Sequence, residues 1–188
     1  MEEPELVERA QAGDVDAFTR LVAEHDRAVL RLALRYTGSE DEAADLYQET
    51  LWRAYRSLPR FRNDSRFSTW LFRIAVNVCL KRIEKQRKEA AVLEPIASEQ
   101  SLSFSATTPL AGPETAFQLA EFRQRLYAAL QDLSPRQRMV FVLRHFEGLP
   151  LAEIATLLKC STGSVKKYLF AATRRLRELL QDVYQETL

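Results

Sequence analysis

Residues 61–88 read FRNDSRFSTWLFRIAVNVCLKRIEKQRK. They interleave bulky apolar side chains with Arg62, Arg66, Arg73, Lys81, Arg82, Lys85, Arg87 and Lys88, against only two acids, Asp64 and Glu84. Flat apolar rings stack on unpaired bases of any identity for ~1–3 kcal/mol per base, and Lys and Arg follow the phosphate backbone. Turning a base out of a duplex costs a few kcal/mol, which a pocket that reads its Watson–Crick edge offsets. The stretch therefore has the composition of a surface for strand-separated nucleic acid. A solvated helix face is the alternative for one such cluster. Trp70, Phe72, Ile74 and Val78 also suit a helical core, and sequence alone leaves Trp70 open between core and stacking.

The charge distribution favours a polyanion partner. Residues 1–50 hold thirteen acids against five Arg, whereas residues 51–88 hold eleven Lys or Arg, including Arg53, Arg56 and Arg60, against the same two acids. A net charge of +1 conceals this partition, which is an electrostatic footprint for nucleic acid. A second basic run, Lys166, Lys167, Arg174, Arg175 and Arg177, recurs near the C-terminus.

The elements that must position these residues are helical. Phe18, Leu21, Val22, Val29, Leu30, Ala33 and Leu34 recur at intervals of three and four, and strand alternation is absent. Ser39 with Glu42 reads as a capping box that opens a helix over about 40–58, closed by Pro59. Asn63 and Asp64 mark a loop. A second helix runs from Phe67 to about Lys88, roughly 33 Å at ~1.5 Å per residue. Residues 91–115 carry Pro95, Pro109, Gly112 and Pro113, many Ser and Thr and no basic residue, which predicts a flexible linker. Helical patterning then resumes at Ala116. The expected organisation is all-α: a helical domain over 1–90, the linker over 91–115 and a second helical domain over 116–188.

The second domain has the sharper signature. Ser134, Pro135 and Gln137 form a capping box with Pro at the first helical position. After the Glu147-Gly148 break, Leu151, Ile154, Ala155 and Leu158 make a short amphipathic helix. Cys160-Ser-Thr162 makes a turn, and Val165, Leu169, Ala172, Leu176 and Leu179 make the next helix. This is a helix-turn-helix pattern, whose second helix fits the DNA major groove, with a helical hairpin that serves interaction alone as the alternative. Ser161 caps that helix, and Lys166, Lys167, Arg174 and Arg175 supply phosphate-positioning charge.

Several classes are excluded. The chain has two histidines, His25 and His145, and no phosphate-binding Gly loop, GxSxG or HExxH, so no enzyme and no cofactor is expected. Cys79 and Cys160 lack metal-ligand spacing and read as buried free thiols. No run of eighteen apolar residues exists and the N-terminus is acidic, so a cytoplasmic protein without membrane insertion is expected.

Three blocks together resemble the bacterial RNA polymerase sigma factors of the extracytoplasmic function (ECF, group four) sigma-70-type family, across nearly the whole chain. AADLYQETLWRAY resembles the region that docks on the clamp helices of the polymerase largest subunit. RFSTWLFRIAVNVCLKRI resembles the region that opens and reads the minus-ten element. LSPRQRMVFVLRHFEGLPLAEIATLLKCSTGSVKKYL resembles the minus-thirty-five reader. The resemblance implies a sigma factor that binds core RNA polymerase, recognises both promoter elements and assists melting, with the flap of the second-largest subunit as a further contact and an anti-sigma factor as regulator. It implies polymerase contacts at Asp45, Gln48, Glu49 and Trp52. Minus-ten and melting contacts would lie at Arg60, Phe61, Arg62, Asn63, Asp64, Arg66, Trp70, Arg73, Asn77, Lys81 and Lys85, with Asn77 as base reader. Minus-thirty-five contacts would lie at Ser161, Thr162, Gly163, Ser164, Lys166, Lys167, Tyr168 and Arg174. Many relatives carry Ser-Arg where this chain has Lys167-Tyr168, which leaves its promoter sequence preference open. The rival from another class is an independent helix-turn-helix regulator, which predicts a dimer on a palindromic site and requires neither the basic aromatic stretch nor the linker.

Overall fold

The computed structural model describes residues 2–90 and 113–181, and every regular element among them is helical. α1 (Glu3–Gln11) and α2 (Val15–Ala23) form a hairpin across Gly13, whose φ of +96° suits a residue without a side chain. Asp14 caps α2 by accepting from the Ala17 N–H at 3.0 Å. α3 (Asp26–Thr37), α4 (Glu40–Ser57) and α5 (Phe67–Ala90) complete the first module, around Leu32, Tyr36, Ala54, Leu58, Phe67, Leu71 and Val76, none more than 1% exposed.

The capping box expected at Ser39 is half made. Ser39 Oγ accepts from the Glu42 N–H at 3.4 Å, but the Glu42 carboxylate takes its hydrogen bond from Gln86 on α5 at 2.9 Å. The Ser39 N–H donates instead to Thr37 Oγ1 at 3.3 Å. A long-range partner on a packed helix has displaced the local one. Leu30 departs too: it shares the spacing of buried Val29 and Ala33 but is 38% exposed.

The second module holds α6 (Pro113–Gln131), α7 (Pro135–Phe141), one π turn over Val142–Phe146, α8 (Leu151–Leu157) and α9 (Thr162–Leu179). Here the Ser134–Gln137 capping box is complete, with bonds of 3.0 and 3.3 Å. α8, the turn through Lys159 (φ +50°) and α9 form the expected helix-turn-helix, locked by fully buried Ile154, Val165 and Ala172. Most of the expected linker, residues 91–112, lies outside the described residues.

The two modules pack against one another. α3 ends at Gly38 in the left-handed conformation, φ +78°, and its last carbonyl groups have no intrahelical donor. The second module supplies donors: Arg138 Nη1 reaches the Tyr36 carbonyl at 3.4 Å and Gln131 Nε2 reaches the Thr37 carbonyl at 2.7 Å. Arg138 is only 1% exposed, lies 5.4 Å over the Tyr36 ring and also donates to the Gln131 carbonyl at 2.8 Å. A cation here also complements the negative end of the α3 dipole. The Tyr36 hydroxyl donates back to the Pro135 carbonyl at 3.2 Å. A Cβ on Gly38 would stand 3.3 Å from the Tyr127 ring, so the seam is tight. Beside it, Arg35 donates to the Phe146 carbonyl at 2.6 Å and pairs with Glu147 at 2.7 Å. Buried residues of α7, the π turn, α8 and the start of α9 join the core of the first module, while Tyr127, Leu130, Leu133, Ala172 and Leu176 form a second core between α6 and α9.

Replacing Arg138 with Met keeps the apolar stem but removes the donor from the buried Tyr36 carbonyl and from the partly buried Gln131 carbonyl. The expected cost is about 3 kcal/mol, from lost charge-assisted bonds and unpaired acceptors, read by urea unfolding. The modules should also part, raising the radius of gyration in X-ray scattering. An unchanged radius would show that the seam is held elsewhere.

Candidate nucleic-acid and polymerase interface

α4 and α5 lie side by side and enclose a groove of about 690 Å³, lined by Asp45, Gln48, Glu49, Trp52, Arg53, Val78, Lys81, Arg82 and Lys85. The structure thus brings together all four polymerase contacts implied by the resemblance. They fall three or four residues apart on α4, where one helical face presents them together. Trp52 is 54% exposed, with the Arg56 guanidinium 4.6 Å above its ring. Both acids have internal partners: Glu49 pairs with Arg53 at 2.6 Å and Asp45 with Arg82 at 3.5 Å. The Glu49–Arg53 pair has readable i, i+4 spacing, whereas Asp45–Arg82 joins residues 37 apart and needed the fold. Tyr47, set behind this face, donates to Asp26, and burial together with that carboxylate pushes its hydroxyl well above the usual tyrosine range.

Lys81 and Lys85, expected at nucleic acid, also line this groove opposite the acids, and Lys85 approaches Glu89 at 3.7 Å. Asn77 sits one turn before Lys81, exposed, and its amide nitrogen donates to the Arg73 carbonyl at 2.9 Å, which leaves its carbonyl oxygen to face a ligand. Arg73 is half-buried and its Nε is buried without a hydrogen-bond partner.

The loop between α4 and α5 divides its residues. Phe61 is 8% exposed, with its ring 4.9 Å from Trp70 and 6.1 Å from Phe67; Trp70 lies 5.5 Å from Phe67. These rings pack tilted or edge-on against one another, and Trp70, half-buried against the core, is the most exposed of the three. Arg60, Arg62, Asn63, Asp64 and Arg66 are all exposed, with Asn63 turning the backbone at φ +58°.

On α9, Ser161 Oγ accepts from the Ser164 N–H at 3.1 Å and lies 2.9 Å from Ser164 Oγ, while Thr162, Gly163, Lys166, Lys167 and Arg174 are exposed. A Cβ on Gly163 would meet only Ser161 Oγ, at 3.7 Å, so the approach to this end is open. Tyr168 turns partly inward against the core. Arg174 contacts Glu178 at 3.6 Å. Sequence reasoning missed Phe170, which is 71% exposed and lies with Lys166, Thr173, Arg174 and Arg177 along a shallow trough. Its signal was present: it falls off the 165, 169, 172, 176 apolar stripe.

Both thiols are free. Cys79 is buried in α5, and burial pushes its thiol up to about 12, so it stays protonated and unreactive near neutrality; Cys160 is half-buried, which corrects the expectation of two buried thiols. At pH 8 a thiol-specific chromogenic reagent should label the native protein at Cys160 alone and label both cysteines after denaturation. Rapid native labelling of Cys79 would contradict the packing of α5.

Comparison with known proteins identifies the family. The family described as Sigma-70 region 2 matches residues 21–89, and that described as Sigma-70, region 4 matches residues 123–176. The chain is 33% identical over 188 residues to the RNA polymerase sigma-H factor of Pseudomonas aeruginosa, covering 98% of this chain and 97% of the relative. It is 36% identical over 180 residues to the ECF RNA polymerase sigma-E factor of Escherichia coli K12, covering 95% and 94%. Among solved structures, CnrH in complex with the cytosolic domain of CnrY aligns over 94% of this chain and 96% of its own, at 25% identity and a TM-score of 0.61. The sigma factor RpoE of Bartonella quintana, in complex with the anti-sigma factor NepR, shares the fold over 87% of this chain and 96% of its own, at 24% identity and a TM-score of 0.65.

Proposed function

This chain belongs to the ECF group of the sigma-70 family, the sigma factors of bacterial RNA polymerase, and from that premise we propose which of its surfaces meet polymerase and which meet promoter DNA. As a sigma factor it directs promoter-specific transcription initiation by core polymerase. The observation that carries the division of labour is the α4–α5 groove, which gathers Asp45, Gln48, Glu49 and Trp52 on one wall. We assign that wall to the clamp helices of the largest subunit. Lys81 and Lys85, on the facing wall, stand at the margin between polymerase and the melted strand.

The exposed loop residues Arg60, Arg62, Asn63, Asp64 and Arg66 form the mouth of a minus-ten pocket whose floor is Phe61 and Trp70. Asn77 reads a base edge with its free carbonyl oxygen, and Arg73 holds a phosphate. On α9, Ser161 to Ser164 approach the backbone of the minus-thirty-five duplex, and Lys166, Lys167 and Arg174 enter or flank the major groove. We extend the reading to regulation by an anti-sigma factor that occupies the α4–α5 groove, by analogy with the solved complex of CnrH with the cytosolic domain of CnrY. The protein acts in the cytoplasm, where polymerase and promoters meet.

The packed modules bear on mechanism. A compact chain of this length measures roughly 40 Å across, from the usual scaling of domain size. Two promoter elements two DNA turns apart span ~70 Å. Reading both at once therefore requires the seam at Tyr36 and Arg138 to part, with polymerase holding the separated modules.

The first experiment selects from a promoter-library DNA pool at physiological salt, with and without core polymerase. Core-dependent selection of two-part sites with transcripts starting just downstream is expected. Tight selection of a palindrome by the protein alone would instead establish an independent regulator. On the selected promoter, Asn77→Ala should cost ~1–3 kcal/mol of discrimination at one minus-ten position. Equal loss on every minus-ten variant would remove Asn77 from base reading.

A further inference from the structure

The loop Arg62 to Arg66 has no apolar anchor, yet both of its ends are fixed by one distant helix. Gln11, the last residue of α1, donates its side-chain amide to two carbonyl groups where the chain leaves α4: Leu58 at 3.1 Å and Phe61 at 2.8 Å. Glu3, the first residue of α1, accepts from the Phe67 N–H at 3.4 Å through Oε1. Phe67 opens α5, and the preceding Arg66 has no side-chain acceptor to cap it, so Glu3 serves an amide that would otherwise lack a partner. α1 is nine residues long, a rise of about 12 Å. Its two ends thus set the separation between the two ends of the loop.

The brace is itself anchored, since Leu6, Val7 and Ala10 are buried against the first module. Among the described residues, no side-chain hydrogen bond or ion pair ties down Arg62, Asn63, Asp64 or Arg66. The backbone is held while the side chains remain available, the arrangement that lowers the ordering cost of binding. The matched Sigma-70 region 2 begins at residue 21, so α1 lies outside it.

We propose that Gln11 and Glu3 are positioning residues for the minus-ten pocket: α1 holds the loop 61–66 in the shape that captures an unpaired base. This rests on the reading of that loop as a base-binding surface, and the test separates the two. Holoenzyme is reconstituted with Gln11→Ala, with Gln11→Glu, which turns a carboxylate toward the two carbonyl groups, and with Asn63→Ala. Affinity for a fluorescein-labelled single-stranded minus-ten oligonucleotide from the selected promoter is read by anisotropy, alongside affinity for core polymerase. Hydrogen exchange at residues 61–67 is followed in the free protein.

Both Gln11 variants should raise exchange at the hydrogen-bonded Phe61 amide at least tenfold and weaken oligonucleotide binding fivefold or more, with core affinity within twofold of the original. Native oligonucleotide affinity in the Gln11 variants, together with a loss in Asn63→Ala, would mean that the loop binds bases without the brace. Native affinity in all three would remove the loop from base binding, and the proposal would fall with that reading. A parallel loss of core affinity would make Gln11 a support of the whole module, which also overturns the proposal.

Discussion

A helix cannot satisfy its own last carbonyl groups, and in this molecule the end of α3 is satisfied by the other module. Arg138 and Gln131 bring the donors, Gly38 lets the backbone turn away, and Tyr36 returns a hydrogen bond to Pro135. Much of the arrangement depends on this contact. It places the π turn and Glu147 beside Arg35, and it brings the apolar residues of α7, the π turn and α8 into the core of the first module. Because these bonds are directional and at least partly buried, the seam is a specific fit. Partial loosening would leave polar groups without water or partner, so separation is expected to be all or nothing.

The fold was largely legible because periodicity and caps act locally. The helices around residues 40–57 and 67–90 and the helix-turn-helix follow the apolar spacing, and the Ser134 box appears intact. What was not legible required partners distant in sequence. Glu42 had a local partner in the sequence and took Gln86 instead. Arg138 sits within a motif that reads as one more basic residue, and nothing local reveals that it is among the most deeply buried side chains.

The candidate surfaces show the same division. Helical spacing put Asp45, Gln48, Glu49 and Trp52 on one face, and they share it. Spacing did not show that Lys81 and Lys85 stand across the groove from them, since that depends on how α4 meets α5. Nor did composition distinguish stacked aromatics from free ones: Phe61 and Trp70 engage each other first. The exposed Phe170 carries no charge and sits among basic residues, so only its position off the buried stripe marks it in the sequence.

The internal pairing of Asp45 with Arg82 and of Glu49 with Arg53 has a consequence for how docking proceeds. An arriving cation from another protein meets acids that already have counter-ions, so association is an exchange of partners rather than a gain of new ones. Such an exchange contributes little net attraction on its own, because both pairs are solvent-exposed and screened. Selectivity then falls to the partner that can release Arg53 and Arg82 into equally favourable surroundings while covering Trp52. The groove works as a combination lock, opened by several modest substitutions made together.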